Sequence, residues 1–382
     1  MTDLRRIPDE RYPARLDACR AAIAEHDLAA LLLGVGPDLR YLAGWVGEPM
    51  ERLTLLVVPC EGQVSFVVPR LEAEKAATTP LVRSGAATIA SFEETEDAAA
   101  LVFRLLDPRL NGPLGVSDRL WSLHVLALQT AVPERRLVSA GPAMRDLRQV
   151  KDADEVELLR LAAQAADRTI DAVAAGRLVG RTEADVSREI RQRLVDEGHD
   201  QAEFAIVGSG PNGASPHHDA GERTIAASEP VVLDIGGSRA GYVSDITRTI
   251  WVAGDAGVEP EADFRRVYDL VREAQAAGTA AVAPGVEAQA VDAAAREVIA
   301  AAGYGEFFTH RTGHGIGLET HEDPYMVTGS ATQLRPGMAF SVEPGVYLPG
   351  RWGVRLENIV VCADSGPDTL NRSSLDLRTV RG

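Results

Sequence analysis

The chain has 382 residues, with 39 Lys plus Arg against 56 Asp plus Glu and a net charge of -17. Its length suggests two domains of roughly 150 residues or more, and the acidic surplus excludes a nucleic-acid or anionic-membrane binder, because affinity for phosphate surfaces comes from clustered Lys and Arg. At 45% hydrophobic and 25% charged, the composition is that of a folded globular protein, and low-complexity readings fall away. Along the chain, apolar spacing predicts a helix over Ala14–Glu25. Strand-like runs follow at Ala29–Leu33, Leu53–Val58 and Gln63–Val68, the last two joined by a Glu61-Gly62 turn. A helix over about Asp97–Leu106, a strand at Leu114–Val116, a helix near Leu120–Ala131 and a strand at Arg136–Val138 complete an α/β domain with a mixed or parallel sheet. Its His26 and His124 read as surface or structural residues.

Cys19, Cys60 and Cys362 are too far apart for a CxxC pair or a disulfide framework, which points to packing residues in a reducing, cytoplasmic compartment. The opening residues carry no apolar stretch of leader length, and the longest apolar-rich run, Leu28–Val35, is too short to span a bilayer. Texture changes at residues 145–152, which gives an N-terminal domain over 1–148 and a second domain over 149–382. The second opens with a long helix, Ala153–Ala175, acidic in its first turn as the helix dipole favours. Two glycine-bracketed helical segments, Gly180–Gly198 and Gly285–Gly303, have the same length, and Val186 and Val291 each stand six residues after the first glycine. Each follows another long helix, Ala153–Ala175 or Glu261–Val282, so the pattern suggests helix pairs duplicated around a sheet.

Chemistry concentrates in acids placed where a core should be. Asp234 sits in Val231-Val-Leu-Asp-Ile-Gly-Gly, and eleven residues later Asp245 opens a second strand-like run. An unpaired carboxylate among apolar β-formers is costly to bury, so something cationic must offset it, and a hairpin would bring both acids to one point. His314 in Gly-His-Gly-Ile-Gly, Glu343 in Val-Glu-Pro-Gly-Val-Tyr and Glu357 in Val-Arg-Leu-Glu-Asn repeat the anomaly. One such residue alone reads as a surface ion pair or a structural histidine; five in strand-like contexts do not. Four carboxylates and an imidazole suit Mn2+, Fe2+, Co2+ or Zn2+, and two such ions carry four positive charges to match the four acids.

These strings, in this order, resemble the pita-bread metallopeptidases, and within them the Xaa-Pro aminopeptidases and Xaa-Pro dipeptidases (prolidases). The resemblance covers the whole chain. It implies an α/β N-terminal domain and an α+β catalytic domain with pseudo-twofold duplicated helix pairs around a curved antiparallel sheet. It further implies two divalent metals, Mn2+ foremost, with Asp234 and Asp245 on one ion, Asp245 bridging to a second that takes His314 and Glu343, and Glu357 as the other bridge. His217 and His321 match histidines near the scissile bond, while His218 falls on a variable position. His310, Tyr347 and Arg355 match the proline-ring pocket, with Arg355 also orienting a bridging carboxylate. Tyr41-Leu-Ala-Gly-Trp45 resembles an N-terminal signature of the family, though Trp45 reads first as a core aromatic.

The implied reaction is hydrolysis of the Xaa-Pro bond at the N-terminus of a dipeptide or short peptide by a metal-bridging hydroxide. Glu343 would carry the proton, and His321 would help to stabilise the oxyanion. Where some members carry an arginine clamp after the His321 string, this chain has Tyr325; Arg335 and Arg351 are the substitutes on offer, and the balance tips slightly toward dipeptides. A creatinase-like or other non-peptide amide or amidine hydrolase, or a metal-free binding module, are the alternatives, and retention of all five ligands speaks against both. A homodimer is implied by the resemblance alone.

Overall fold

The computed structural model describes residues 6–381, so the first five residues of the leader reading lie outside the described residues. It divides into a unit of Ile7–Arg148 and a unit from Gln149 onward.

The first unit is built on a six-stranded mixed sheet of β1 (Ala30–Gly34), β2 (Leu55–Pro59), β3 (Val64–Pro69), β4 (Ala87–Phe92), β5 (Leu114–Val116) and β6 (Leu137–Ser139), in the order β4-β3-β2-β1-β5-β6. The β1–β2 and β2–β3 pairs are antiparallel and the others parallel. Its helices are α1 (Arg11–Glu25), α2 (Pro37–Ala43), α3 (Ala73–Ala77), α4 (Pro80–Arg83), α5 (Ala98–Leu105), α6 (Ser122–Ala131) and α7 (Gly141–Arg148). Helix α1 starts earlier than apolar spacing predicts, because Pro13 in the first turn forfeits no helical hydrogen bond and Tyr12 is buried. Helix α2 ends at Gly44, whose φ of 75° is the left-handed cap that favours glycine. Just beyond, Trp45 is buried edge-on against Phe66 at 5.3 Å, a core aromatic. His26 pairs with Asp146 and His124 with the Met50 carbonyl. The three cysteines are unpaired, and burial pushes the Cys19 thiol up to about 12.

The second unit holds α8 (Ala153–Ala174), α9 (Glu183–Asp196), α10 (Ala262–Ala280) and α11 (Ala288–Ala301). Its strands are β7 (Gln201–Ser209), β8 (Glu229–Arg239), β9 (Tyr242–Val243), β10 (Ile246–Val252), β11 (Gly313–Gly315), β12 (Glu322–Met326), β13 (Ala339–Val342), β14 (Gly345–Leu348), β15 (Trp352–Arg355), β16 (Asn358–Ala363), β17 (Gly366–Thr369) and β18 (Thr379–Val380). Side-chain capping boxes start α8 (Asp152 with Glu155) and α9 (Thr182 with Asp185). One sheet runs β18-β10-β8-β7 with β9 on β8, a second runs β12-β11-β13-β16-β17, and β14 pairs with β15. All these pairings are antiparallel except β10–β18. Among the described residues no helix is long and apolar enough to cross a membrane.

The duplication is visible bond by bond. Gly180 N donates to Ile225 O, Ala184 N to Gly221 O and Ile225 N to Arg181 O. In the second copy Gly285 N donates to Leu334 O, Gln289 N to Ser330 O and Leu334 N to Val286 O. The helix halves are offset by 105 residues (180 to 285) and the returning segments by 109 (221 to 330). Val186 and Val291 are fully buried in the two copies. The second offset superposes Asp234 on Glu343.

The two sheets meet where Glu357 N donates to Thr247 O at 3.1 Å and Thr249 Oγ1 donates to Arg355 O at 3.0 Å. Beneath this junction the buried Arg248 donates to the carbonyls of Thr247, Glu357, Ser373 and Ser374 and to Asn358 Oδ1, while burial lowers its pKa to about 10. Replacing it by methionine strands several buried acceptors, each costing about 1–3 kcal/mol. Urea unfolding of metal-free Arg248→Met should therefore show a loss of about 3 kcal/mol or more at unchanged m-value; a loss below about 1 kcal/mol contradicts the assigned role.

Candidate functional site

The sheet junction brings the five singled-out residues together. Asp234 lies on β8 opposite Thr247 of β10, so the hairpin aims Asp234 and Asp245 at one region. His314 occupies the middle of β11, and the glycines around it answer to close approach: a Cβ on Gly313 would collide with the Ser341 carbonyl, and one on Gly315 with that of Asp323. Glu343 follows β13 and Glu357 precedes β16. Ligand atoms of Asp245, His314 and Glu357 fall within 4.8 Å of one another. His314 Nε2 stands 3.1 Å from Glu343 Oε1 and 3.7 Å from Asp245 Oδ2.

These donors fit a divalent cation. The His314 Nδ1–H donates to the Gly315 carbonyl at 3.2 Å, which leaves the Nε2 lone pair facing the carboxylates. Asp234 Oδ1 and Glu357 Oε1 are buried without a hydrogen-bond partner, an expensive state for carboxylate oxygens unless a cation meets them. Burial, and then the charges of Glu357, Asp234 and Glu343, hold the Asp245 carboxyl well above its usual range; burial with Glu343 and Asp234 does the same to Glu357. Two unit charges 4 Å apart at an effective dielectric of 20 repel by about 4 kcal/mol. A cluster of four acids can thus consume a whole domain's stability of about 5–15 kcal/mol if it stays ionised without a counter-charge.

Above the acids opens a cavity of about 530 Å³, lined by these five residues and by His217, His310, His321, Arg355, Arg311, Phe204 and Ile206 among others. His321 packs against His314 with ring centroids 4.1 Å apart, and burial followed by the neighbouring His314 pushes it down to about 4, keeping it neutral. His310 Nδ1 donates to the Arg311 carbonyl at 2.7 Å. That carbonyl can only accept, so His310 Nε2 accepts from the Tyr347 hydroxyl at 2.7 Å, and Tyr347 in turn accepts from Arg355 Nη1 at 2.9 Å. Burial pushes the Tyr347 phenol up to about 12, so it stays a donor. Arg355, Tyr347 and His310 are therefore one directed chain, whose other polar atoms are taken by Asp234, Thr247 and the Pro216 and Arg311 carbonyls.

Several placements differ from what the motifs suggest. The resemblance ties Arg355 to a bridging carboxylate, whereas its Nη2 lies 2.5 Å from Asp234 Oδ2. Glu357 instead accepts from Thr247 Oγ1 at 2.7 Å, and Arg355 Nε reaches the same hydroxyl at 3.0 Å, because Thr247 stands between them. Arg351 is half exposed on Asp263, and neither it nor Arg335 lines the cavity. Arg311, 4.3 Å above the Tyr325 ring, does line it, as Arg355 does. Asp292 on α11 is also absent from the sequence reading. It accepts from Thr312 N and Oγ1 and pairs with Arg296, whose guanidinium holds the Phe308 and His310 carbonyls. A clue existed in its fully buried helical position next to Val291, but an acid in an amphipathic helix raises no alarm.

Comparison with known proteins places this geometry. Residues 157–364 match the model of metallopeptidase family M24, and residues 15–150 match the creatinase/prolidase N-terminal domain. "Probable dipeptidase PepE" of Mycobacterium tuberculosis is 42% identical over 383 residues, spanning 98% of each chain. The crystal structure of dipeptidase PepE from Mycobacterium ulcerans superposes with a TM-score of 0.92 at 42% identity, covering 99% of this chain and 100% of that one. The Xaa-Pro dipeptidase from Bacillus anthracis does so at 0.87 and 30% identity, over 97% and 100%. With the pita-bread architecture and a cavity whose acids fit a divalent metal, the chain belongs to metallopeptidase family M24 and carries a creatinase/prolidase N-terminal domain.

Proposed function

We propose that this metallopeptidase is an Xaa-Pro dipeptidase working with two divalent ions, Mn2+ foremost. The observation that carries the reading is the pair of stranded oxygens, Asp234 Oδ1 and Glu357 Oε1, on the floor of a cavity that also holds Asp245, His314 and Glu343. Asp234, Asp245, His314, Glu343 and Glu357 are the residues that would hold the ions. When bound, such ions supply an activated water and polarise the scissile carbonyl.

The chain's own groups do the rest. Glu343 keeps the proton taken from the attacking water and returns it to the imino nitrogen of the leaving proline. Neutral His321 donates to the developing oxyanion, and His217 orients the scissile group. A proline nitrogen in peptide linkage has no N–H to offer, so selection rests on ring shape. A wall of His310 and Arg355, with Tyr347 joining them from behind, suits that, since its polar atoms are already engaged by protein partners. Arg311 meets the free carboxylate of a dipeptide, which favours two-residue substrates. The unpaired cysteines and the family resemblance support a cytoplasmic homodimer.

The direct test is hydrolysis of Ala-Pro and Ala-Pro-Ala after chelation and after restoration with Mn2+. Chelation should abolish activity and Mn2+ restore it, with Ala-Pro the faster substrate. Cleavage of neither contradicts the peptidase reading, and preference for Ala-Pro-Ala contradicts the role given to Arg311.

A second expectation concerns pH. In the metal-free chain Asp245 and Glu357 have raised folded pKa values, so their contribution to stability is present below the unfolded carboxylate pKa of about 4 and is lost as pH rises through the folded values. Glu343, lowered by its hydrogen bond and charge pairing with His314 against the opposing effect of burial, changes stability only below that window. Metal-free protein should lose melting temperature from about pH 4 upward, with Mn2+ raising it more at each step. A metal-induced shift that is flat or shrinks with pH across this range contradicts the assignment.

A further inference from the structure

His217 reaches the cavity from the loop that leaves β7 at Ser209, yet its side chain is exposed and its ring makes no hydrogen bond among the described residues. Where the imidazole stands is decided by the backbone beneath it. On the cavity side, Arg355 Nη2 donates to the Pro216 carbonyl at 3.4 Å. On the far side the loop closes around a single carboxylate, Glu183, the first residue of α9 and fully buried.

Glu183 Oε1 accepts from Ser209 N at 2.7 Å, Ser209 Oγ at 2.6 Å and Asn212 Nδ2 at 3.1 Å. Oε2 accepts from His218 Nε2 at 2.8 Å and Gly221 N at 3.3 Å. These donors come from the start of the loop (Ser209), its first turn (Asn212) and its middle (His218 and Gly221), and His218 directly follows His217. Only a carboxylate offers two oxygens that accept throughout; a glutamine of the same shape would turn an N–H toward donors. The helix start does not need Glu183 as a cap, because Thr182 and Asp185 already form a capping box there. Burial opposes its charge, yet hydrogen bonds from Ser209, His218 and Asn212 hold the carboxyl below its usual range, and the positive end of the α9 dipole acts the same way. In the second repeat the equivalent position, 105 residues on, is Ala288, so the duplication does not require an acid here.

We infer that Glu183 is the positioning residue for His217, clasping its loop from behind so that the imidazole is presented to the cavity. The inference rests on the reading that His217 faces the substrate, and it adds a residue remote from the reacting atoms on which that role depends. A small displacement of a group that orients substrate can cost up to about a hundredfold in rate.

The test uses the full-length, Mn2+-loaded enzyme with Glu183→Gln and His218→Asn, each alone and combined with His217→Ala. Each single clasp variant should lower kcat/KM for Ala-Pro by about tenfold or more at unchanged metal content, and neither should lower it further once His217 is alanine. Additive losses on the His217→Ala background overturn the inference, as does a single-variant change within about twofold. His218→Asn removes one donor from a partly exposed residue, which keeps the test available if Glu183→Gln fails to fold. An activity-independent readout is the ring signal of His217 in 13C-histidine spectra. It should shift and broaden in His218→Asn while those of His26 and His124 stay, and an unmoved His217 signal overturns the inference. Wild-type protein that cleaves neither peptide while this signal moves removes the Xaa-Pro reading and leaves the clasp standing.

Discussion

Four carboxylates crowded at the base of one cavity are the constraint on which the second unit depends. Asp245 and Glu357 are almost wholly buried, and each rests on a sheet whose neighbours are apolar. Their mutual repulsion sits in a medium where it counts in kcal/mol rather than tenths. Protonation relieves the strain at low pH; at neutral pH a bound cation is the natural relief. The buried Arg355 offsets part of the charge through Asp234, but one guanidinium cannot neutralise four acids, and the unpartnered oxygens of Asp234 and Glu357 remain.

Duplication is how the fold assembles such a cluster. Each copy delivers an acid at the same point of its sheet, Asp234 on β8 and Glu343 after β13, and the junction of the two sheets turns these points toward each other. The strands next to them then differ in chemistry. Thr247 faces Asp234 across β8 and β10, whereas Glu357 immediately precedes the Asn358 that pairs with Val342 at the end of β13. That Thr247 donates to Glu357 ties the two halves at the centre of the site. Buried acids on the repeat helices serve the walls: Asp292 fixes the segment carrying His310, as Glu183 does the loop carrying His217.

What could be read from the sequence follows from what is anomalous in it. An acid inside a run such as Val231-Val-Leu-Asp-Ile violates the apolar expectation of a buried strand, so Asp234 and its four companions stood out. The long helices were legible from period, from the acidic first turn of α8 and from the glycines that bracket α9 and α11. Elements with weak patterns were not: β4 is half exposed and mostly Ala, Thr and Ser, α2 and α4 are one- or two-turn helices set by Pro37, Pro80 and Gly44, and α3 is a single short turn. Arg311 and Asp292 escaped because a lone arginine in a loop and an acid on a helix are ordinary, and only the folded chain shows that one enters the cavity and the other is buried beneath it.

Anomalous diffraction from a crystal soaked in Mn2+ addresses the central claim most directly. Two peaks roughly 3.5–4 Å apart, one nearest Asp234 and the other nearest His314, with Asp245 and Glu357 between them, is the result expected. No peak among the five residues, or a single fully occupied one with Glu343 turned away, would contradict the account.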